Sequence, residues 1–120
     1  DDYNTLNIEI TELNNSDGSI VLEFLDENEN QILAFNNILI VDNKSIFKID
    51  SLRSGKYVLR FFNDNNGNGK LDTNLFGIPK EEFGNSNNVK PKFGPPNFKD
   101  MIFRIEGDLN LKMISQKINF

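Results

Sequence analysis

Apolar residues recur at every second position in short runs along this chain, and a two-residue period leaves little but a β fold open to it. Leu6, Ile8 and Ile10 share one face of Tyr3 to Glu12, with Asn7, Glu9 and Thr11 on the other. The run Asn14-Asn15-Ser16-Asp17-Gly18 reads as a turn, since Asn, Asp and Gly tolerate left-handed backbone, and predicts a local first hairpin. Ile20, Leu22 and Phe24 line a second strand, which the acidic run Asp26 to Asn30 closes as a solvated loop rather than a second weak cation site. Gln31 to Val41 is interrupted by Asn36-Asn37, giving a strand at Ile32 to Phe35 and a stretch at Ile38 to Val41, or one strand with a bulge. Asp42-Asn43-Lys44 turns the chain into Ser45 to Asp50, where Phe47 and Ile49 share a face.

After the connection Arg53-Ser54-Gly55, Tyr57, Leu59 and Phe61 alternate with Val58, Arg60 and Phe62. Both faces of that strand are partly apolar, which predicts a central strand with a covered outer face. Lys99 to Glu106 places Met101, Phe103 and Ile105 inward, and Leu109, Leu111 and Met113 open a last strand running toward Ile118 and Phe120. No segment holds a helical period over three turns. About seven strands at this spacing predict an all-β, Greek-key β-sandwich, one domain spanning residues 1–120.

Composition narrows the function. With 38% apolar residues and eleven Phe, 120 residues can bury a core without disulfides. The net charge of -5 argues against nucleic acid and anionic membranes as partners and favours cations. The chain has neither Cys nor His, which removes thiol catalysis, the usual zinc and iron sites and Ser-His-Asp hydrolysis. No apolar run reaches membrane-spanning length, so the chain is not membrane-spanning by helices. It starts at Asp1 without Met, which fits an exported protein whose signal peptide has been removed.

One stretch has spacing that demands a particular chemistry. From Asp64, oxygen-bearing side chains fall at alternate positions, Asp64, Asn66 and Asn68; Gly69 then permits a sharp turn, Lys70 offers its carbonyl, and Asp72 follows. That is the ligand order over the first nine positions of an EF-hand-type loop, in which a hard cation collects six to eight oxygens. The twelfth position, where a bidentate Glu belongs, is Leu75, so a further carboxylate is needed. Glu81, Glu82 and Asp100 are the candidates, Glu81 first because it lies in the same long loop. The bland reading is an Asn/Gly turn. The fuller one is a structural Ca2+ site over residues 64–72, with Mg2+ as the lesser ion and no organic cofactor. Low ligand charge predicts weak binding, with a dissociation constant of about 10⁻⁴ to 10⁻³ M, useful outside cells where calcium is millimolar. The ion would order a segment otherwise costly to fix.

Residues 73–98 form a long loop rich in Gly, Pro, Asn and Lys, yet Phe76, Ile78, Phe83, Phe93 and Phe98 punctuate it. Either these side chains pack inward and pin an ordered loop held by calcium, or they present a binding surface to a glycan or another protein. The inward packing is the reading preferred. Glu81 and Glu82 invite comparison with a glycosidase pair, but neighbours on a strand point to opposite faces and a charged loop is usually solvated. A calcium-dependent hydrolase is the remaining enzymatic alternative. The expectation is a non-enzymatic binding or structural module, monomeric, whose protein or glycan partner is unknown.

The stretch from Phe47 to Asp64, with Ile49, Leu52, Gly55, Tyr57 and Leu59 ahead of the Asp, resembles a segment of transthyretin-like and carboxypeptidase-regulatory-like β-sandwiches of bacterial surface proteins. Asp64 to Asp72, Gly77-Ile78-Pro79-Lys80-Glu81, Gly84-Asn85-Ser86-Asn87-Asn88 and Pro95-Pro96-Asn97-Phe98 together resemble the bacterial family called domain of unknown function 2141. The resemblance covers nearly the whole chain. It implies an exported or periplasmic β-sandwich and no particular activity. Where that family is expected to carry a His before the Asp, this chain has Asn63.

Overall fold

The computed structural model of the chain describes residues 3–14, 18–64, 81–92 and 94–117. Strands Tyr3–Thr11 (β1), Ser45–Arg53 (β4) and Leu109–Ile114 (β8) make a three-stranded sheet in the order β4-β1-β8. Strands Ser19–Asp26 (β2), Gln31–Ile38 (β3), Gly55–Asp64 (β5), Phe83–Asn85 (β6) and Phe103–Ile105 (β7) make a five-stranded sheet, in which β6 and β7 share the edge of β5 away from β2. Among the described residues helical structure is confined to the 3₁₀ turns Ser86–Asn88 and Phe98–Met101. The fold is therefore all-β, as expected, with eight strands among the described residues rather than about seven. The additional strand is β6, whose three residues are too few to show a period and lie inside the stretch read as long loop.

The period-two pattern places the core. Leu6, Ile8 and Ile10 stand level with Leu109, Leu111 and Met113 along the parallel β1–β8 pair. Facing them from the other sheet are Ile20, Leu22, Phe24, Leu59 and Phe61, all at most 3% exposed. Round the sandwich the order β5-β2-β3-β4 is that of a Greek key, since β5 returns to lie beside β2.

Two local expectations change, and a third, open between two strands and one bulged strand, resolves to the latter. β1 and β2 do not form a hairpin: β1 pairs with β4 and β8, and β2 with β3 and β5. The apolar faces of both strands meet across the core from opposite sheets; residues 15–17 of the expected turn lie outside the described residues. Gln31–Ile38 is a single strand that steps from Phe35 to Ile38 while its partner β2 steps from Leu22 to Ile20. Asn36-Asn37 is thus the bulge, with Asn37 at φ 58°. Met101 turns away from the main core. It packs with Val89, Phe98 and Ile102 over Leu25 and Val58, on the outer face of the five-stranded sheet. That is the cover the two-sided pattern of β5 required, and Val58 is fully buried beneath it.

The covering segment leaves the edge of β5 after β6 and returns to it as β7. Between these pairings the Leu59 N–H donates to the Ser86 hydroxyl at 3.1 Å, and that hydroxyl donates to the Met101 carbonyl. Asn87, at φ 69°, donates its amide to the carbonyls of Asp100 and Ile102 at 3.0 and 2.9 Å. Asn85 exchanges two bonds with the backbone of Val89. Asn88 accepts from the Ile114 N–H at 2.8 Å, tying the segment to β8. Polar loop residues here replace a missing strand, satisfying backbone groups that burial would otherwise leave unmet.

Candidate metal centre

β5 ends at Asp64, where the Asp-to-Asp loop begins. Beside it the ladder with β6 pairs Arg60 with Asn85, Phe61 with Gly84 and Phe62 with Phe83. Pairing continues outward, since the Asn63 N–H donates to the Glu82 carbonyl at 2.8 Å. The same register carried one step further sets Asp64 level with Glu81. These two carboxylates thus flank the entry and exit of residues 65–80, and they are only 6% and 4% exposed. Of the predicted ligands, Asp64 and Glu81 lie within the described residues, at the two ends of residues 65–80; Asn66, Asn68, Lys70 and Asp72 lie outside them, as do Leu75, Phe76, Ile78 and Phe93. Among the described residues there is no group of three acidic side chains able to hold a metal ion by itself.

The rival ligands are placed elsewhere or already engaged. Asp100 is exposed in the 3₁₀ turn Phe98–Met101, over the outer face of the sheet. Glu82 is 2% exposed, contrary to the solvated position expected of it and of Glu81. A carboxylate at that depth is tolerable only when hydrogen-bonded. Its Oε1 accepts the Asn14 N–H at 2.7 Å and the Ser115 hydroxyl at 2.9 Å, while Oε2 accepts the Asn63 amide at 3.2 Å. Glu82 therefore ties the ends of β1, β5 and β8 together. The residue standing where a family His was expected, Asn63, is fully buried and serves this network.

The Phe residues of the long loop that the structure describes turn inward. Phe83 is 7% exposed, and Phe98 is half-buried against the cluster of Leu25, Val58 and Met101. The acidic run Asp26 to Asn30 is a tight turn between β2 and β3. Asp26 Oδ1 accepts the N–H groups of Asn28 and Asn30, and Oδ2 accepts the Asn30 amide. The Asn30 backbone bond is the main cause holding the Asp26 carboxyl below its usual range, against an opposing effect of burial.

What the sequence reading missed is an exposed apolar group beyond the end of β3 and at the start of β4, Leu39, Val41 and Ile46. A signal was present, because Ile46 shares its strand face with Lys48 and Asp50, where a polar residue belongs. No helix of the described residues is long and apolar enough to cross a membrane. No curated protein and no solved structure matches the chain. A family model does match it, over residues 8–112, from within β1 into β8, and the chain accordingly belongs to the family described as "Uncharacterized protein conserved in bacteria (DUF2141)".

Proposed function

We propose that the chain is a non-enzymatic, exported β-sandwich module in which a calcium ion clamps the loop between Asp64 and Glu81. The observation carrying this reading is the burial of both carboxylates at the two ends of residues 65–80, in a sequence that supplies Asn66, Asn68, Lys70 and Asp72 between them. Asp64, Asp72 and Glu81 would give three negative charges, the amides and the Lys70 carbonyl neutral oxygens, and water the rest. So weak a site would fill only in millimolar calcium, which supports a role outside the cytosol, in the periplasm or at the cell surface. The two-sheet arrangement with a Greek-key core supports a transthyretin-like or carboxypeptidase-regulatory-like relation.

Two other readings have less support. Recognition of a glycan or protein by the aromatics of the long loop needs them exposed, and Phe83 and Phe98 pack inward. Calcium-dependent hydrolysis needs a carboxylate at liberty to handle protons, and both oxygens of Glu82 are engaged in holding strand ends.

The test is a thermal melt in millimolar calcium against chelator, with magnesium as control. At a hundredfold excess over the dissociation constant, linkage contributes about 2.7 kcal/mol. For a domain of this size the midpoint should rise by roughly 10 °C. The same midpoint in calcium, magnesium and chelator, repeated at tenfold higher calcium, would refute the clamp.

A further inference from the structure

The segment that covers the outer face of the five-stranded sheet reverses the charge of the chain. From Phe83 to Ile105 it carries Lys90, Lys92, Lys99 and Arg104 against one acid, Asp100, in a chain whose net charge is -5. Arg104 is matched by Glu106 at 3.0 Å. Lys90, Lys92 and Lys99 are exposed and have no carboxylate at ion-pair distance among the described residues, whereas Lys44, Lys48 and Arg60 each have one. The acids of β2 beneath do not serve them: Glu23 is matched by Arg60 at 2.9 Å, and Asp26 accepts the N–H groups of its own turn. A positive patch thus stands on an acidic molecule, and its local field attracts what the molecule as a whole repels.

Lys90 and Lys92 line an open cleft of ≈ 520 Å³, whose other walls include Pro95, Pro96, Asn97 and Asp100. The backbone that carries them is held at both ends. The Val89 N–H donates to the Asn85 side chain at 2.8 Å, and the Val89 carbonyl accepts the amides of Asn85 and Gln116 at 3.0 and 3.1 Å. The Asp100 N–H donates to the Asn97 carbonyl at 3.1 Å, and the Asp100 carbonyl accepts the Asn87 amide at 3.0 Å. Between these anchors the rings of Pro91, Pro95 and Pro96 fix φ. Val89 and Phe98 pack from beneath onto the cluster of Leu25 and Val58. Groups fixed before a ligand arrives lose little entropy on binding it.

The lining selects among anions. Among the described residues no arginine takes part, so the bidentate fork that suits phosphate is missing, and two lysines offer point charges instead. The Asp100 carboxylate repels a densely charged polymer or a phospholipid surface, yet it can accept hydroxyl groups. Asn97 Oδ1 is taken by the Lys99 N–H at 3.1 Å, which leaves its amide N–H groups to donate. Pro95 and Pro96 add apolar ring surface. One carboxylate, several hydroxyls and a face of C–H groups are together the chemistry of a uronic acid. The volume suits one or two such units, and an open cleft lets a longer chain run out of it.

We propose that this cleft binds a carboxylated sugar of an acidic polysaccharide, with Lys90 and Lys92 on the carboxylate and Asn97 and Asp100 on the hydroxyls. It shares no residue with the stretch from Asp64 to Glu81 and does not depend on the calcium reading.

The experiment is an amide NMR titration of the full chain with an oligogalacturonate, in chelator because uronates gather calcium by themselves. The expected result is saturable shifts led by the amides of Lys90, Lys92, Asn97 and Asp100. Lys90→Glu with Lys92→Glu should weaken binding at least tenfold. Lys48→Glu with Lys112→Glu, an equal change of charge on exposed positions of the three-stranded sheet, should leave it within twofold. Asp100→Ala separates a sugar site from a bare positive patch: loss of the acceptor should weaken the uronate several-fold, whereas a bare patch would hold it more tightly. An oligoglutamate of the same charge and a neutral oligogalactose should each bind at least tenfold more weakly. No shifts up to about 10 mM oligosaccharide, tenfold beyond a millimolar dissociation constant, would overturn the proposal. So would equal binding of the oligoglutamate, tighter binding by Asp100→Ala, or shifts that the Lys90 and Lys92 changes leave in place.

Discussion

The backbone N–H of Leu59 meets the Ser86 hydroxyl at 3.1 Å, in the gap on β5 between the residues that pair with β7 and those that pair with β6. Both residues are fully buried. Ser86→Ala removes an acceptor from Leu59 and a donor from Met101 at once, and a buried polar group left unmet costs about 1–3 kcal/mol. The variant should lose on the order of 2 kcal/mol in urea denaturation, with faster hydrogen exchange at the Leu59 amide. Unchanged exchange there would show that the hydroxyl is not the latch.

Gly84 has no room for a side chain. A Cβ built on it would stand 2.6 Å from Cζ of Phe61, closer still to Cε2, and 3.3 Å from the Ile114 carbonyl. Phe61 is 3% exposed and cannot swing into water. Overpacking of this kind costs typically about 1–3 kcal/mol. Gly84→Ala should lower the melting midpoint accordingly, and adding Phe61→Leu should recover part of the loss. If the two changes simply add, the clash is not the cause.

The carboxylates around the candidate centre should separate by role. Asp64→Asn and Glu81→Gln should each weaken calcium binding at least tenfold by calorimetry. Glu82→Gln keeps the shape but exchanges one acceptor oxygen for a donor, so that in one orientation it faces the Asn14 N–H and the Ser115 hydroxyl and in the other the Asn63 amide, and should cost about 1–3 kcal/mol of stability with calcium affinity unchanged. Loss of calcium binding in Glu82→Gln, with none in Glu81→Gln, would reverse the assignment.

Asp26 gives the fold a defined response to acid. Its carboxyl is held below the ordinary value of 3.8, chiefly by the Asn30 backbone N–H. The sign follows from linkage: a folded-state value below the unfolded one contributes stability that is present above pH 3.8 and is lost as the pH falls through the folded value. The difference in urea midpoint between wild type and Asp26→Asn should therefore be flat from neutrality to about pH 5 and shrink below 3.8. A carboxyl titration at or above 3.8 by NMR would contradict the turn described.

What could be read in advance were features carried by neighbours in sequence. The alternation of Leu6, Ile8 and Ile10, the bulge at Asn36-Asn37 and the two-sided pattern of Val58 and Leu59 all concern residues within a few positions of each other. Partners far apart left no such trace. The side chains of Asn7 and Asn110, hydrogen-bonded at 3.1 Å across β1 and β8, are 103 positions apart. Glu82 looked solvated because the groups that bury it arrive from Asn14, Asn63 and Ser115. Met101 kept the right alternation but belonged to a second, outer cluster, a distinction that a one-dimensional period does not encode. At the candidate centre, the burial of Asp64 and Glu81 follows from the β5–β6 edge, which their residue types and spacing do not encode.

The parallel pairing of β1 with β8 also decides how the domain bears load. Tyr3 stands at the start of β1 and Ser115 just past the end of β8, at opposite ends of a pair that runs from Leu6 and Leu109 to Thr11 and Ile114. Tension applied between those two points pulls the strands past one another along their length, so the evenly spaced bonds between them are stressed together. The rows Leu6 with Leu109, Ile8 with Leu111 and Ile10 with Met113 would have to slide as one. Stretched by its ends, the sandwich resists as a lap joint does, and does not open bond by bond like a zip.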